Sequence, residues 1–203
     1  MNKIVKDAFV LTAITLISGL TLGTVYEVTK EPIAKQEELT KQEAFKTVLS
    51  EAQSFEEKAL EGNSGVEVPA AAGYTAQEIT GVADALDASG NVIGHVYTVV
   101  SSEGYAGDIR FTMGILSDGT VTGIEMLSIS ETAGLGMKAT EDEFKGQYAG
   151  KNVEKFEYSK TGATAENQID VISGATITTN AVTNGVNAGI EFFKATRGGN
   201  EDE

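Results

Sequence analysis

Asp108-Ile-Arg-Phe-Thr-Met-Gly-Ile-Leu116, Ser117-Asp-Gly-Thr120 and Val121-Thr-Gly-Ile-Glu-Met-Leu-Ser-Ile129 read in succession as strand, turn and strand. Ile109, Phe111, Met113 and Ile115 fall at every second position, which places them on one face of a pleated strand. Asp118-Gly119 is a strong hairpin signal, so Val121 to Ile129 is expected to pair back. Upstream, the turn Ala88-Ser-Gly-Asn91 separates a candidate strand over Val82 to Leu86 from another over Val92 to Val100. His95 lies within that second strand and reads as a half-buried structural residue. Ser101 to Gly107 is a loop containing Gly104-Tyr105. Downstream, the loop Glu131-Thr-Ala-Gly-Leu-Gly136 leads to an expected helix over Glu141 to Tyr148. A second helix is expected over Asn180 to Lys194, with Val182, Val186, Gly189, Ile190 and Phe193 on one face. The pattern is α+β, an antiparallel β-sheet with packed helices.

Ahead of this domain, about nineteen uncharged residues run from Ala8 to Tyr26, between Lys3, Lys6 and Asp7 on one side and Glu27 on the other. That length crosses a ~30 Å hydrocarbon layer as a helix. The competing reading is a cleaved signal peptide, for which the run is long and the small-residue cleavage pattern is missing. Thr12, Thr15, Gly19, Gly23 and Tyr26 share one helical stripe, and Gly19-Leu-Thr-Leu-Gly23 is either a GxxxG packing element or incidental. Lys3 and Lys6 are balanced by Lys30, Lys35 and Lys41 beyond the run, so charge does not orient the helix. Pro32 opens a polar, partly amphipathic stretch, and Gly62-Asn-Ser-Gly65 and Pro69-Ala-Ala-Ala-Gly73 read as loops. The expected organisation is a single N-terminal transmembrane helix in 1–30, a helical linker region 31–73, a domain 74–196 and an acidic tail 197–203.

A net charge of -15 argues against a nucleic-acid partner, and against a domain lying flat on anionic lipid. Much of the acid sits in Glu37 to Glu61 and in the tail Glu201-Asp202-Glu203, and reads as solvated surface. With no cysteine and one histidine, thiolate metal sites, iron–sulfur clusters and attached haem are excluded, and a Ser-His-Asp triad is disfavoured. Redox chemistry in this chain would need an organic cofactor.

Asp170-Val-Ile-Ser-Gly-Ala-Thr-Ile-Thr-Thr-Asn180 carries the chemistry. A short strand ends at Ile172, and a Ser173-Gly174-Ala175-Thr176 turn feeds a helix. Free backbone N–H groups and the helix dipole at such a junction suit an anion. The residue pattern alone leaves two uses open for the hydroxyls here: a phosphate site, or Thr178 or Thr179 as an N-cap.

Asp170-x-x-Ser173-Gly174-Ala175-Thr176 resembles the Asp-x-x-(Ser/Thr)-Gly-Ala-Thr motif of FMN-binding domains modified by a flavin transferase. The wider chain resembles the G subunit of the Rnf electron-transport complex and is similar to the C subunit of the sodium-translocating NADH:quinone reductase. Gly104-Tyr105-x-Gly107 agrees, and Glu131-Thr-Ala-Gly-Leu-Gly136 resembles the family's Glu-Thr-Pro-Gly-Leu-Gly loop, with Ala133 where proline is usual. That departure is expected to loosen the loop. The resemblance implies covalent FMN, its phosphate esterified to the Thr176 hydroxyl by a transferase that takes FMN from FAD. Asp170, Ser173, Gly174 and Ala175 would be the recognition sequence, and Glu131, Thr132, Gly134, Leu135 and Gly136 would line the flavin. Tyr105 either packs against the flavin or is a sheet-packing aromatic. The implied role is an electron relay in a membrane complex, partnered by other membrane subunits and the lipid bilayer, with the flavin domain extracytoplasmic. A standalone flavinylated electron-transfer protein and a surface-anchored binding module without cofactor are the alternatives.

Overall fold

The computed structural model describes residues 3–197, so all of the acidic tail except Arg197 lies outside the described residues. The chain divides into two compact units, one ending at Thr40 and one beginning at Lys41. Helix α1, Lys3–Val48, runs through both. Pro32 lies inside α1 and does not begin a new helix: its missing N–H removes one backbone bond from a long helix without ending it.

In the first unit α1 is long and apolar enough to cross a membrane by length and composition, with mean hydropathy 1.9 over its most apolar window. Phe9, Leu16, Leu20 and Leu22 are exposed and belong to no core. The hydroxyls of Thr12, Thr21 and Thr24 donate to the carbonyls of Ala8, Ile17 and Leu20 at 2.9, 2.8 and 3.0 Å. These threonines thus satisfy their hydroxyl protons within the helix. Among the described residues, nothing outside the helix's own backbone lies within 4 Å of a Cβ built at Gly19 or Gly23.

The second unit is built on a five-stranded antiparallel sheet in the order β1-β2-β3-β4-β5: Ser54–Lys58, Gln77–Leu86, Val92–Ser101, Ile109–Leu116 and Val121–Ser128. Ile109, Phe111, Met113 and Ile115 are fully buried on one face, as their alternation requires. In β2 the alternation changes phase. Ile79 pairs with Val99 and Val82 with Tyr97, and all four join one core. A bulge between Ile79 and Gly81 inserts the extra residue that keeps both Ile79 and Val82 inward.

Both faces of the sheet are covered. Helix α4, Thr176–Thr196, lies on one face, where Gly185 and Gly189 bring it down onto β4. A Cβ at Gly185 would sit 2.8 Å from the Phe111 ring, and one at Gly189 would sit 2.1 Å from the Met113 sulfur. The last turns of α1 cover the other face: Phe45, Val48 and Leu49 pack with Ala83, Ala85 and Val96. Gly94 and Gly114 leave room there, since a Cβ on either would meet strand or helix backbone within 2.7 Å.

The region expected as a helical linker therefore contains core residues, strand β1 and helix α2, Ser64–Ala71, all within the second unit. Pro69 and Gly65, read as loop residues, lie inside α2. Gly65 is required there, because a Cβ would collide with the Ile79 carbonyl. Helix α3, Asp142–Lys145, is a single turn flanked by 3-10 turns, shorter than the expected Glu141 to Tyr148. A parallel pair, β6 (Glu157–Ser159) and β7 (Gln168–Asp170), leads into α4. Asn187 of α4 holds this segment, accepting from the Phe156 N–H at 2.8 Å and donating to its carbonyl at 3.0 Å.

His95 is buried rather than half-buried, because α4 covers it: its ring lies 6.0 Å from that of Phe193. Its Nδ1 meets the Asp84 carboxylate at 2.9 Å, while Lys58 and Arg197 approach the same carboxylate at 3.8 and 3.7 Å. One carboxylate thus ties three strands to the end of α4. Burial depresses the imidazole's proton affinity, outweighing the opposing pull of Asp84.

Gly185→Leu is expected to destabilise the full chain by roughly 1–3 kcal/mol, because overpacking against Phe111 outweighs a ~1 kcal/mol gain in helix propensity. A lowered Tm in detergent checks this. Because folding disfavours the imidazolium, His95 contributes fully above its ordinary value of 6.5 and the contribution is lost as pH falls toward its depressed native value. Stability should therefore drop on acidification below about pH 6.5, and His95→Gln should flatten that drop in urea titrations.

Candidate functional site

Strand β7 stops at Asp170, and the chain must turn sharply to start α4 at Thr176. Gly174 makes the turn with φ +78°, a region that side chains disfavour, and the Ala175 N–H closes it on the Ile172 carbonyl at 2.9 Å. Thr179 fastens the turn from within. Its buried hydroxyl accepts from the Ile172 N–H at 3.1 Å and donates to the Ala175 carbonyl at 3.0 Å.

Helix α4 begins four residues earlier than the pattern suggests, so neither Thr178 nor Thr179 is an N-cap. Ala175 holds that position without a side-chain bond, and both threonines are buried in the first turns. Thr176 differs. It is partly exposed, and its hydroxyl makes no hydrogen bond among the described residues. The N–H groups of Thr176, Ile177 and Thr178 precede the first helical bond, which runs from Thr179 to Ala175.

The loop from Glu131 to Gly136 lies against this helix start. Thr132 to Leu135 forms a β-turn, closed by the Leu135 N–H on the Thr132 carbonyl at 3.1 Å, with Gly134 at φ +75°. Ala133 occupies the position that proline favours in such a turn, and the turn is closed without it. Leu135 reaches across to Gly174, where a Cβ would stand 3.0 Å from its side chain. Gly136 fits between Glu131 and Thr178, each of which would lie 2.6 Å from a Cβ there.

Glu131 joins a third segment: its Oε1 accepts from the Tyr105 N–H at 2.7 Å and the Ala106 N–H at 3.4 Å. Tyr105 is therefore not a sheet-packing aromatic. Its backbone is latched while its side chain stands 71 % exposed.

Together these segments enclose a groove of ≈ 590 Å³, the size of many cofactor sites. Glu131, Thr132, Leu135 and Gly136 line one side, and Gly174, Ala175 and Thr176 the other. Tyr105, Leu135 at 42 % exposure and Ile177 at 51 % give it an apolar lining suited to a flat ring. Ile177 and Thr178 also line it, although they were not among the expected site residues. The only sequence signal for Ile177 is a large apolar residue next to the motif threonine.

Asp170 and Ser173 do not reach the groove. They face a separate shallow pocket of ≈ 170 Å³ with Lys138, Glu141 and Gln147. The Asp170 carboxylate there accepts from the Ala163 N–H. Gly134 shapes the loop without lining the groove.

A groove joining a helix N-terminus to an apolar slot suits a ligand with a phosphate and a flat ring, and similarity to known proteins gives the class: an FMN-binding domain. The FMN-binding domain family matches residues 104–191, which contain every groove residue, and the RnfG N-terminal region matches residues 1–48. The G subunit of the Na(+)-translocating ferredoxin:NAD(+) oxidoreductase complex of Acetobacterium woodii is 34% identical, over 90% of this chain and 84% of that protein. The G subunit of the ion-translocating oxidoreductase complex of Methanosarcina acetivorans is 31% identical, over 97% of this chain and 98% of its own. The chain belongs to this family, the G subunits of Rnf-type complexes. Its fold is shared by the C subunit of the Na(+)-translocating NADH-quinone reductase from Parabacteroides distasonis, with TM-score 0.51 and 21% identity over 79% of this chain and 94% of that one.

Ala133→Pro is expected to raise stability by about 0.4–1 kcal/mol, since it restricts the unfolded chain at a position where the turn is already closed. Thermal unfolding of the full chain checks it.

Proposed function

We propose that this protein is a membrane-anchored electron-transfer component of an Rnf-type ion-translocating complex, carrying FMN by a phosphoester on Thr176. The observation that carries the reading is the placement of Thr176. Its partly exposed, unbonded hydroxyl opens α4 and lines the groove.

When bound, FMN supplies the one- and two-electron chemistry that no side chain of this cysteine-free protein offers. The chain's own residues hold and shield it. The N–H groups of Thr176, Ile177 and Thr178 and the helix dipole would hold the phosphate. Leu135, Ile177 and Tyr105 provide apolar surface for the ring, and the latched loops fix the walls.

Attachment joins the Thr176 oxygen to the FMN phosphorus as the pyrophosphate bond of FAD breaks, with AMP leaving and the hydroxyl proton lost to solvent. A flavin transferase would catalyse this, with Asp170 and Ser173 offering it a face of the turn that the flavin leaves free. The redox ring itself stays unmodified, so the link serves retention. That benefit is greatest on an extracytoplasmic surface, where a released flavin is lost. The apolar part of α1 would hold the protein in the lipid bilayer as a single span, with Gly19 and Gly23 free to meet the helix of another membrane protein in the complex.

Coexpression with a flavin transferase should give a band that fluoresces under ultraviolet light on a denaturing gel, with the mass of attached FMN. Thr176→Ala should lose both signals, and Thr178→Ala should keep them. A wild-type chain that stays dark and unmodified beside a competent transferase would falsify the covalent link.

A further inference from the structure

We propose that Glu131 sets the reduction potential of the groove's flavin through a charge that has no counter-ion, an inference resting on the FMN reading above. Glu131 lines the groove, yet it is only 8 % exposed. Two backbone N–H groups, from Tyr105 and Ala106, donate to its Oε1. Its Oε2 and Cβ lie where a Gly136 side chain would be, at 2.6 and 2.7 Å from a built Cβ, and its Oε1 would be 3.1 Å from one on Gly104. Two glycines in two loops thus make room for this carboxylate, and the two N–H groups hold it there.

No lysine, arginine or histidine pairs with it among the described residues. Its interactions are the two backbone bonds. Lys145, in the helix that follows the loop, is taken up by Glu125 and Asp142 at 2.7 and 3.2 Å. Asp84 has Lys58 and Arg197 as cationic neighbours and Glu125 has Lys145, while the half-buried Glu103 accepts from the side-chain amides of Gln77 and Asn184 and does not line the groove. Glu131 stands apart in being buried, uncompensated and at the wall of the cofactor groove.

Two-electron reduction with uptake of one proton leaves a flavin ring with one extra negative charge, the electrons coming from a low-potential reductant outside the chain. A fixed carboxylate beside the ring opposes that charge. At an effective dielectric of about 20, a unit charge about 8 Å away changes such an equilibrium more than tenfold. Glu131 therefore lowers the potential, favouring the oxidised flavin as acceptor and making the reduced flavin a stronger donor.

The test compares midpoint potentials of the flavin-loaded full chain in detergent, read by spectroelectrochemical titration. Glu131→Gln keeps an oxygen for the two N–H groups and removes the charge. It should shift the reduced-to-oxidised ratio at fixed potential at least tenfold toward reduced flavin, about 30 mV for a two-electron couple. A folded, flavin-loaded Glu131→Gln protein with the wild-type potential overturns the proposal and leaves the FMN reading intact. Should Glu131→Gln not fold, Thr132→Lys places a cation on the exposed lining of the same groove and should shift the potential the same way. No shift there also overturns the proposal. Wild-type protein that takes up no flavin overturns the FMN reading, and this inference with it.

Discussion

The close approach of α4 to β4 is the constraint on which the rest of the second unit depends. Two glycines one helical turn apart, Gly185 and Gly189, let the helix settle onto Phe111 and Met113. A helix held that tightly along its middle has little freedom at its ends. Its first turn therefore has a fixed height above the sheet, and Thr176 stands where the 131–136 loop can reach it. Asn187 and Thr179 extend the same control to the incoming chain, one gripping Phe156 and the other the Ile172–Ala175 turn. The site is thus a product of helix-on-sheet packing, with the loops arranged around a rigid helix end.

The opposite face of the sheet shows the same logic. Gly94 and Gly114 clear a floor for Val48 and Leu49, and the Thr122 hydroxyl donates to the Val48 carbonyl. With both faces occupied, the central strands are buried on both sides. A cofactor then has access only at the rim, where the strand-end loops meet the start of α4.

The inward face of β4 was legible because alternation survives in one strand without help from its neighbours. The two motif loops were legible as well, and Glu131, Leu135, Gly136 and Thr176 do meet at one groove. What was hidden has physical causes. Thr176-Ile177-Thr178-Thr179 is a β-branched run of poor helix propensity, so the helix seemed to begin at Asn180. Burial of Thr178 and Thr179 overrides that preference. Strand β1 is a polar edge strand, Ser54-Phe-Glu-Glu-Lys58, without an apolar alternation to announce it. Helix α2 carries a proline and a glycine that elsewhere mark loops, and its fit against the Ile79 carbonyl is a tertiary fact. Asp170 and Ser173 share a motif with Thr176, but the Gly174 turn sends them to a different surface. Spacing along a chain does not record such a reversal.

The burial of Thr178 and Thr179 has a bearing on when the protein could mature. In an unfolded chain the threonines of this stretch are chemically alike and equally open to a modifying enzyme. Once α4 is seated, Thr178 and Thr179 are withdrawn and Thr176 alone among them stays within reach. On the flavinylation reading, folding acts as a checkpoint ahead of maturation. A chain that has not completed its core offers the transferase an ambiguous choice of threonines, whereas a native one offers Thr176 alone of the three.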